Sequence, residues 1–128
     1  YELVYFARAK LNLDDVRREE TEFGRAHQRA NAVLNSVARY AFEAELNPGE
    51  TCEFPAEMEE IGGQCLIFDR YGGAEKGREF GLLLLMAVHR DELEFARKEG
   101  TAALLAMLRE AGHYPYSDLA RDSVVKKR

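Results

Sequence analysis

Residues 82–88, LLLLMAV, form the longest unbroken apolar run in the chain. The run has the length of a strand and falls far short of the roughly 18–20 apolar residues that a membrane-spanning helix needs. A strand without polar positions is typical of the middle of a sheet that is covered on both faces. We therefore predict that this run is an interior strand around which the rest of the fold packs.

The residues after this run predict a pair of helices. Residues 89–92, HRDE, place Glu92 three positions beyond a capping His89, as in a capping box. We expect the first helix to reach Gly100. The second helix is expected to begin at a Thr101 cap and to end at Gly112, because glycine commonly follows a helix C-terminus.

Residues 24–46 carry apolar side chains at helical spacing, which predicts one long amphipathic helix. Asn47, Pro48 and Gly49 are expected to stop it, since the residue before a proline avoids helical geometry. The residues expected to be buried are Leu34, Val37, Ala38 and Phe42, and those expected to face solvent are Arg29 and Glu43.

Three further segments have the composition of strands: residues 1–10, YELVYFARAK; residues 50–55, ETCEFP; and residues 62–70, GGQCLIFDR. Residues 11–23 are dense in charge and predict an exposed loop or a ragged helix lead-in. The resulting order predicts an α+β fold (a mixed α/β sandwich), with one mixed sheet packed by the long helix and the C-terminal helical pair. Residues 50–55 and the first strand are candidate edges of that sheet.

The 128-residue length fits one domain. We expect this single domain over residues 1–128 to be cut at its N-terminus, because Tyr1 is not a methionine and already lies in strand-like sequence. The net charge of −5 disfavours nucleic-acid and membrane partners, which select clustered lysine and arginine. Cys52 and Cys65 are too few for a disulfide scaffold, which favours a cytoplasmic protein.

No combination of residues predicts catalysis. The histidines, at positions 27, 89 and 113, form no helical pair that could hold zinc, and no glycine pattern matches a phosphate-binding loop. We therefore expect no enzyme, no cofactor and no metal. One alternative stays open: an enzyme or small-ligand-binding domain with a polar site at the sheet edge. A deep pocket joining His27, His89 or Asp69 with Arg70 would favour it.

Four stretches together resemble one family, the suppressor of fused family. Residues 1–10 look like its ELT-F-R strand, and LNSVARYAFEAELNPGE, residues 34–50, is similar to a helix with a LARYVF core and a glycine–acid turn. Residues 80–108 resemble the family's FLQIVGVTxxEL strand followed by a glycine and LLELL; their sequence here is FGLLLLMAVHRDELEFARKEGTAALLAML. PYSDLARDSVV, residues 115–125, looks like the closing xITDxxRxSVF, with Asp118 and Arg121 in place.

These stretches agree with the family pattern in order and rough spacing and cover nearly the whole chain. The chain departs from the pattern in two respects. The family's N-terminal part, which has an aromatic and histidine-bearing strand, is absent, and the loop at residues 11–23 is more highly charged.

The resemblance implies a function without catalysis. Animal members of the family are cytoplasmic regulators that clasp an extended peptide of a transcription factor against the sheet, and several short bacterial relatives look like immunity proteins that neutralise toxin domains. We therefore expect a cytoplasmic module that binds a protein or an extended peptide at a sheet edge. The candidate binding residues are Tyr5, Glu53, Asp118 and Arg121.

The closing stretch has a second expected role. In the resembled family, the Asp-x-x-Arg segment turns back into a final strand. Asp118 is expected to brace this turn, and Arg121 is expected to bridge to a carboxylate or a carbonyl. For both residues we expect a structural role rather than direct contact with a ligand.

Overall fold

The computed structural model describes residues 2–8, 12–41, 43–58, 61–71 and 82–125. The helices are α1 (Glu22–Tyr40), α2 (Arg90–Glu99) and α3 (Thr101–Glu110). The strands are β1 (Glu2–Val4), β2 (Phe6–Ala7), β3 (Thr51–Glu53), β4 (Cys65–Tyr71), β5 (Leu82–Val88) and β6 (Tyr116–Ser117). A short 3-10 helix, Leu13–Asp15, lies in the charged segment before α1.

A four-stranded sheet in the order β1-β5-β4-β3 forms the centre of the fold. Strand β5 runs parallel to β1 and antiparallel to β4, so the sheet is mixed. Leu84, in the middle of β5, has Val4 on one side and Asp69 on the other. The prediction that residues 82–88 form an interior strand is confirmed, and so is the α+β fold with a mixed sheet.

The side chains of β5 enter two separate apolar cores. Leu83, Leu85 and Ala87 pack in the core on the α1 side of the sheet. Leu84, Met86 and Val88 pack on the opposite side, against α2 and α3. Because successive strand residues point to opposite faces, only an apolar run without interruption can supply both cores.

The predicted N-terminal strand is divided at Tyr5. Strand β1 pairs with β5, whereas β2 pairs in parallel with β6 in a separate two-stranded ladder. Ser117 of β6 accepts a hydrogen bond from the backbone N–H of Ala87 through its hydroxyl oxygen, at 2.8 Å. The chain therefore leaves β5 after Val4, because β6 lies beside the C-terminal half of β5.

Helix α1 begins and ends earlier than predicted. Thr21 caps it by accepting a hydrogen bond from the backbone N–H of Gly24 at 3.0 Å. The helix ends at Tyr40 rather than at residue 46, because the chain must turn there for Leu46 to enter the α1-side core.

The burial expected for α1 is partly confirmed. Val37 is buried and Leu34 half-buried, and both Arg29 and Glu43 are exposed. The prediction that Ala38 is buried is wrong, because the buried side of the helix runs through Val33 and Val37. Phe42 lies outside the described residues.

The helical pair follows the predicted boundaries closely. Glu92 accepts a hydrogen bond from the backbone N–H of His89 at 2.8 Å, as a capping box requires. Thr101 is not the cap of α3: Gly100 takes that position with φ +102°, and the Thr101 hydroxyl donates to the Gly49 carbonyl at 2.7 Å. Gly112, with φ +80°, follows the end of α3 as expected.

Residues 118–125 contain no strand, so the predicted final strand after the Asp-x-x-Arg segment is absent there. The last strand, β6, lies before this segment. Asp118 braces the turn after β6, its carboxylate accepting a hydrogen bond from the backbone N–H of Ala120 at 3.0 Å. The segment then turns toward α2, because Glu92 accepts a hydrogen bond from the Val124 N–H. In the described ranges no helix combines the length and the apolar character needed to cross a membrane.

Candidate functional site

The outer edge of β3 presents free backbone groups. Within the part of the chain that the structure describes, strand β3 pairs on one side only, with β4. Phe68 N–H donates to the Glu50 carbonyl at 2.9 Å, and Phe54 N–H donates to the Gln64 carbonyl at 2.9 Å. Because hydrogen bonds alternate along an antiparallel strand, the N–H and C=O groups of Thr51 and Glu53 face away from β4.

A groove of about 510 Å³ runs along this edge, between β3, the last turn of α1 and the segment that joins them. We call it the edge groove. Its apolar wall consists of Val37, Tyr40, Leu46, Phe54, Met58 and Phe68. Tyr40 is 54% exposed, so much of its ring is open to solvent at the mouth of this apolar wall.

Charged side chains of α2 lie along the other face of β3. Arg97 Nε donates to the Thr51 hydroxyl at 3.3 Å, and Arg90 Nη1 donates to Glu53 Oε1 at 2.9 Å. Arg97 Nη1 lies 3.8 Å from the same Glu53 oxygen. The bond from Arg90 holds the pKa of Glu53 below its ordinary value, so this carboxylate is ionised at neutral pH.

Cys52, which stands between Thr51 and Glu53 in β3, lines the edge groove. Burial raises the pKa of its thiol, so the group is protonated at neutral pH and is not an activated nucleophile. Cys65 packs in the core on the other side of the sheet. The two thiols therefore point to opposite faces of the sheet.

A second cavity of about 230 Å³ lies between α1, β2 and the segment after β6. We call it the polar cavity. Its charged lining consists of Arg8, Glu22, Arg25, Arg29 and Asp118. Tyr5 also lines it and is half-buried; burial raises the pKa of its phenol.

Arg121 is enclosed by the protein. Its guanidinium donates from Nη1 to Glu92 Oε2 at 2.7 Å and from Nη2 to Glu92 Oε1 at 2.8 Å. The expected bridge to a carboxylate is therefore present. His89 Nε2 lies 2.8 Å from the Arg121 carbonyl oxygen, which further ties this segment to the start of α2.

One polar cluster was not anticipated. Tyr114 donates its phenol proton to Asp69 Oδ2 at 2.6 Å, and the Arg109 guanidinium stacks over the Tyr114 ring at 4.3 Å. Burial and the bond to Asp69 raise the pKa of Tyr114 to about 12. No sequence pattern links these three residues, because they lie on β4, on α3 and in the segment after α3.

The four candidate binding residues do not form one site, and only Tyr5 and Asp118 share a cavity. Glu53 lines the edge groove, Tyr5 and Asp118 line the polar cavity, and Arg121 lies inside the protein. Neither cavity is lined by His27, His89, Asp69 or Arg70, the residues named for the alternative site. Composition could have suggested Tyr40 and Met58 as part of a binding surface, but only the tertiary structure places them beside β3.

Among the residues that the structure describes, no three His, Cys, Asp or Glu side chains gather as a metal-binding group. Comparison with known proteins yields no match to a family model, to a curated protein or to a solved structure. The resemblance to the suppressor of fused family thus still depends on the four quoted stretches alone.

Proposed function

We propose that this protein is a non-catalytic module that binds an extended segment of another protein as an added strand along β3. The observation that carries the proposal is the coincidence of an open strand edge with the edge groove. In this mode of recognition the main-chain hydrogen bonds supply affinity, and pockets for alternate side chains supply specificity. Thr51 and Glu53 would offer the main-chain groups.

The edge groove would receive the apolar side chains of the added strand. Side chains on one face of that strand would lie against Tyr40, Phe54 and Met58, which line the groove. Those on the other face would meet the α2 side, where Arg97 reaches the strand edge. An exposed tyrosine beside a concave apolar surface is typical of positions that contribute strongly to protein binding.

The suppressor of fused resemblance supports the same mode, since the animal members clasp an extended peptide against their sheet. The short bacterial relatives suggest the biological setting: a cytoplasmic immunity protein that neutralises a toxin domain. A toxin gene beside the gene for this chain would support that setting.

The proposal is tested with a displayed library of short extended peptides selected against the protein. Thr51→Pro removes the outward N–H donor and should be tolerated at an edge position, because no hydrogen bond among the described residues uses that donor. Thr51→Val is the matched control: it also lacks the hydroxyl but keeps the N–H. We expect Thr51→Pro to abolish binding of the selected peptides and Thr51→Val to retain it.

Amide hydrogen exchange locates the bound strand. We expect the Thr51 and Glu53 amides to exchange rapidly in the free protein and to become protected when peptide binds. Peptides that bind Thr51→Pro as well as the unchanged protein would overturn the proposal.

The polar cavity favours the second candidate function, a small-ligand-binding domain. Three arginines, at positions 8, 25 and 29, line it and outnumber the carboxylates of Glu22 and Asp118. An anionic metabolite whose binding perturbs the resonances of Tyr5 and Asp118, in a protein for which no peptide is selected, would establish this alternative.

A further inference from the structure

Two carboxylates give the edge groove an uneven charge. Glu45 and Glu50 both line it, and both are exposed. Neither has an ion-pair partner within the described part of the chain, although Glu50 Oε1 accepts a hydrogen bond from the Asn47 N–H at 2.7 Å. Glu53, the third carboxylate of the groove, is paired with Arg90 and with Arg97, and Arg97 also lines the groove.

Both unpaired carboxylates belong to the segment that joins α1 to β3. Glu50 immediately precedes β3, and strand alternation places it on the same face as Cys52 and Phe54. Phe54 and Met58 follow β3 in the chain and line the groove with an apolar surface. Along a single face of β3 the groove therefore changes from acidic at the start of the strand to apolar at its end.

On the basis of the function proposed above, we propose that the bound strand is cationic at one end: a lysine or arginine of the partner faces Glu45 and Glu50, and apolar side chains two and four residues away fill the rest of the groove. This spacing follows from the alternation of a β-strand, whose side chains share a face at every second residue. The protein's net charge of −5 adds long-range attraction for a cationic partner at low salt.

The probes are three synthetic strand-forming peptides that differ at one position. They share apolar residues at alternate positions and carry lysine, glutamine or glutamate at the end expected to face Glu45 and Glu50. We expect the lysine peptide to bind more tightly than the glutamine peptide, and the glutamate peptide to bind most weakly. Each exposed charge pair should change Kd by about two- to fivefold, and added salt should reduce the difference.

Charge-reversed variants assign the effect to these two residues. Glu45→Lys and Glu50→Lys should each weaken the lysine peptide, and the two together should reverse the preference in favour of the glutamate peptide. Glu43→Lys is the matched control, because Glu43 is exposed on the same segment but does not line the groove. It changes the net charge equally and should leave the ranking of the peptides unchanged.

The outcomes separate this inference from the function on which it rests. Binding that requires the Thr51 N–H but is the same for all three peptides would overturn the cationic partner and leave the edge-binding function intact. An equal effect of Glu43→Lys would also overturn it, because only overall charge would then matter. Binding of the peptides that does not depend on the Thr51 N–H would overturn the function itself. A homodimer that Thr51→Pro dissociates would replace the foreign strand by a second copy of this chain.

Discussion

Arg121 and Glu92 form a buried ion pair between residues that are 29 positions apart in the chain. The exposed fractions of their side chains are 3% and 0%. The Glu92 carboxylate also accepts hydrogen bonds from the backbone N–H groups of His89 and Val124. This one carboxylate therefore joins the start of α2 to the segment at residues 118–125.

Replacing Arg121 should strongly destabilise the fold. Arg121→Met keeps most of the side-chain volume but leaves the Glu92 carboxylate buried without its counter-charge, which costs about 3–5 kcal/mol in the free energy of unfolding. Urea denaturation measures the loss.

The control for this prediction is Arg18→Met. The Arg18–Asp15 contact is 3.9 Å long and the Arg18 side chain is 65% exposed, so its loss should cost less than about 1 kcal/mol. If Arg121→Met were as stable as the control and yet failed to bind a partner, Arg121 would be a binding residue instead.

Stability should also fall in acid through Glu92. Burial alone would raise the pKa of this carboxyl, but the hydrogen bonds from Arg121, Val124 and His89 outweigh burial and hold the pKa below its ordinary value of 4.5. A folded-state pKa that is lowered gives stability that is complete above the unfolded-state pKa and is lost as the pH falls through the folded-state value.

The measurement is the free energy of unfolding against pH for the unchanged protein and for Glu92→Gln. The unchanged protein should be more stable at neutral pH, and the gap should narrow below pH 4.5 as Glu92 becomes protonated. Two parallel curves would show that Glu92 does not contribute to the acid sensitivity.

A charge in the middle of β5 should prevent folding. Leu84 is 0% exposed and packs among the apolar residues on the α2–α3 side of the sheet. A lysine there would put a charge among apolar side chains, and its cross-strand neighbour Asp69 is already bonded to Tyr114 and Arg109, so the substitution should cost several kcal/mol. Circular dichroism and gel filtration of Leu84→Lys should show an unfolded or aggregated chain, whereas Glu2→Lys, on the exposed part of β1, should fold. A stable monomer of Leu84→Lys would contradict the structure of this strand.

Gly24→Ala should destabilise the protein, although alanine is more favourable than glycine in a helix by about 1 kcal/mol. A Cβ at this buried position would overlap the Arg18 carbonyl oxygen and would lie 2.7 Å from the Asp15 carbonyl oxygen. We expect a loss of about 1–3 kcal/mol, the usual cost of overpacking, in thermal or urea unfolding. Asn35→Ala, at an exposed position of α1, should change stability by less than about 0.5 kcal/mol. A Gly24→Ala protein as stable as this control would show that the loop before α1 can move away.

The sequence by itself determined the elements whose signals are local. The unbroken apolar run marked β5, because only a strand between two cores needs apolar residues on both faces. The spacing of His89 and Glu92 marked the start of α2, because a capping box is closed within four residues. The two candidate edges, residues 50–55 and the first strand, contain β3 and β1, which lie at the two edges of the four-stranded sheet.

Only the tertiary structure decided the ends of α1 and the position of the edge groove. Periodicity predicts that one stripe of a helix is buried, but it does not show how wide the surface is that covers the stripe. The prediction that Ala38 is buried is therefore wrong. The pairing of Arg121 with Glu92 and the meeting of Tyr40 with β3 join residues that are distant in sequence. Such contacts depend on how whole elements pack, and no local pattern of residues encodes them.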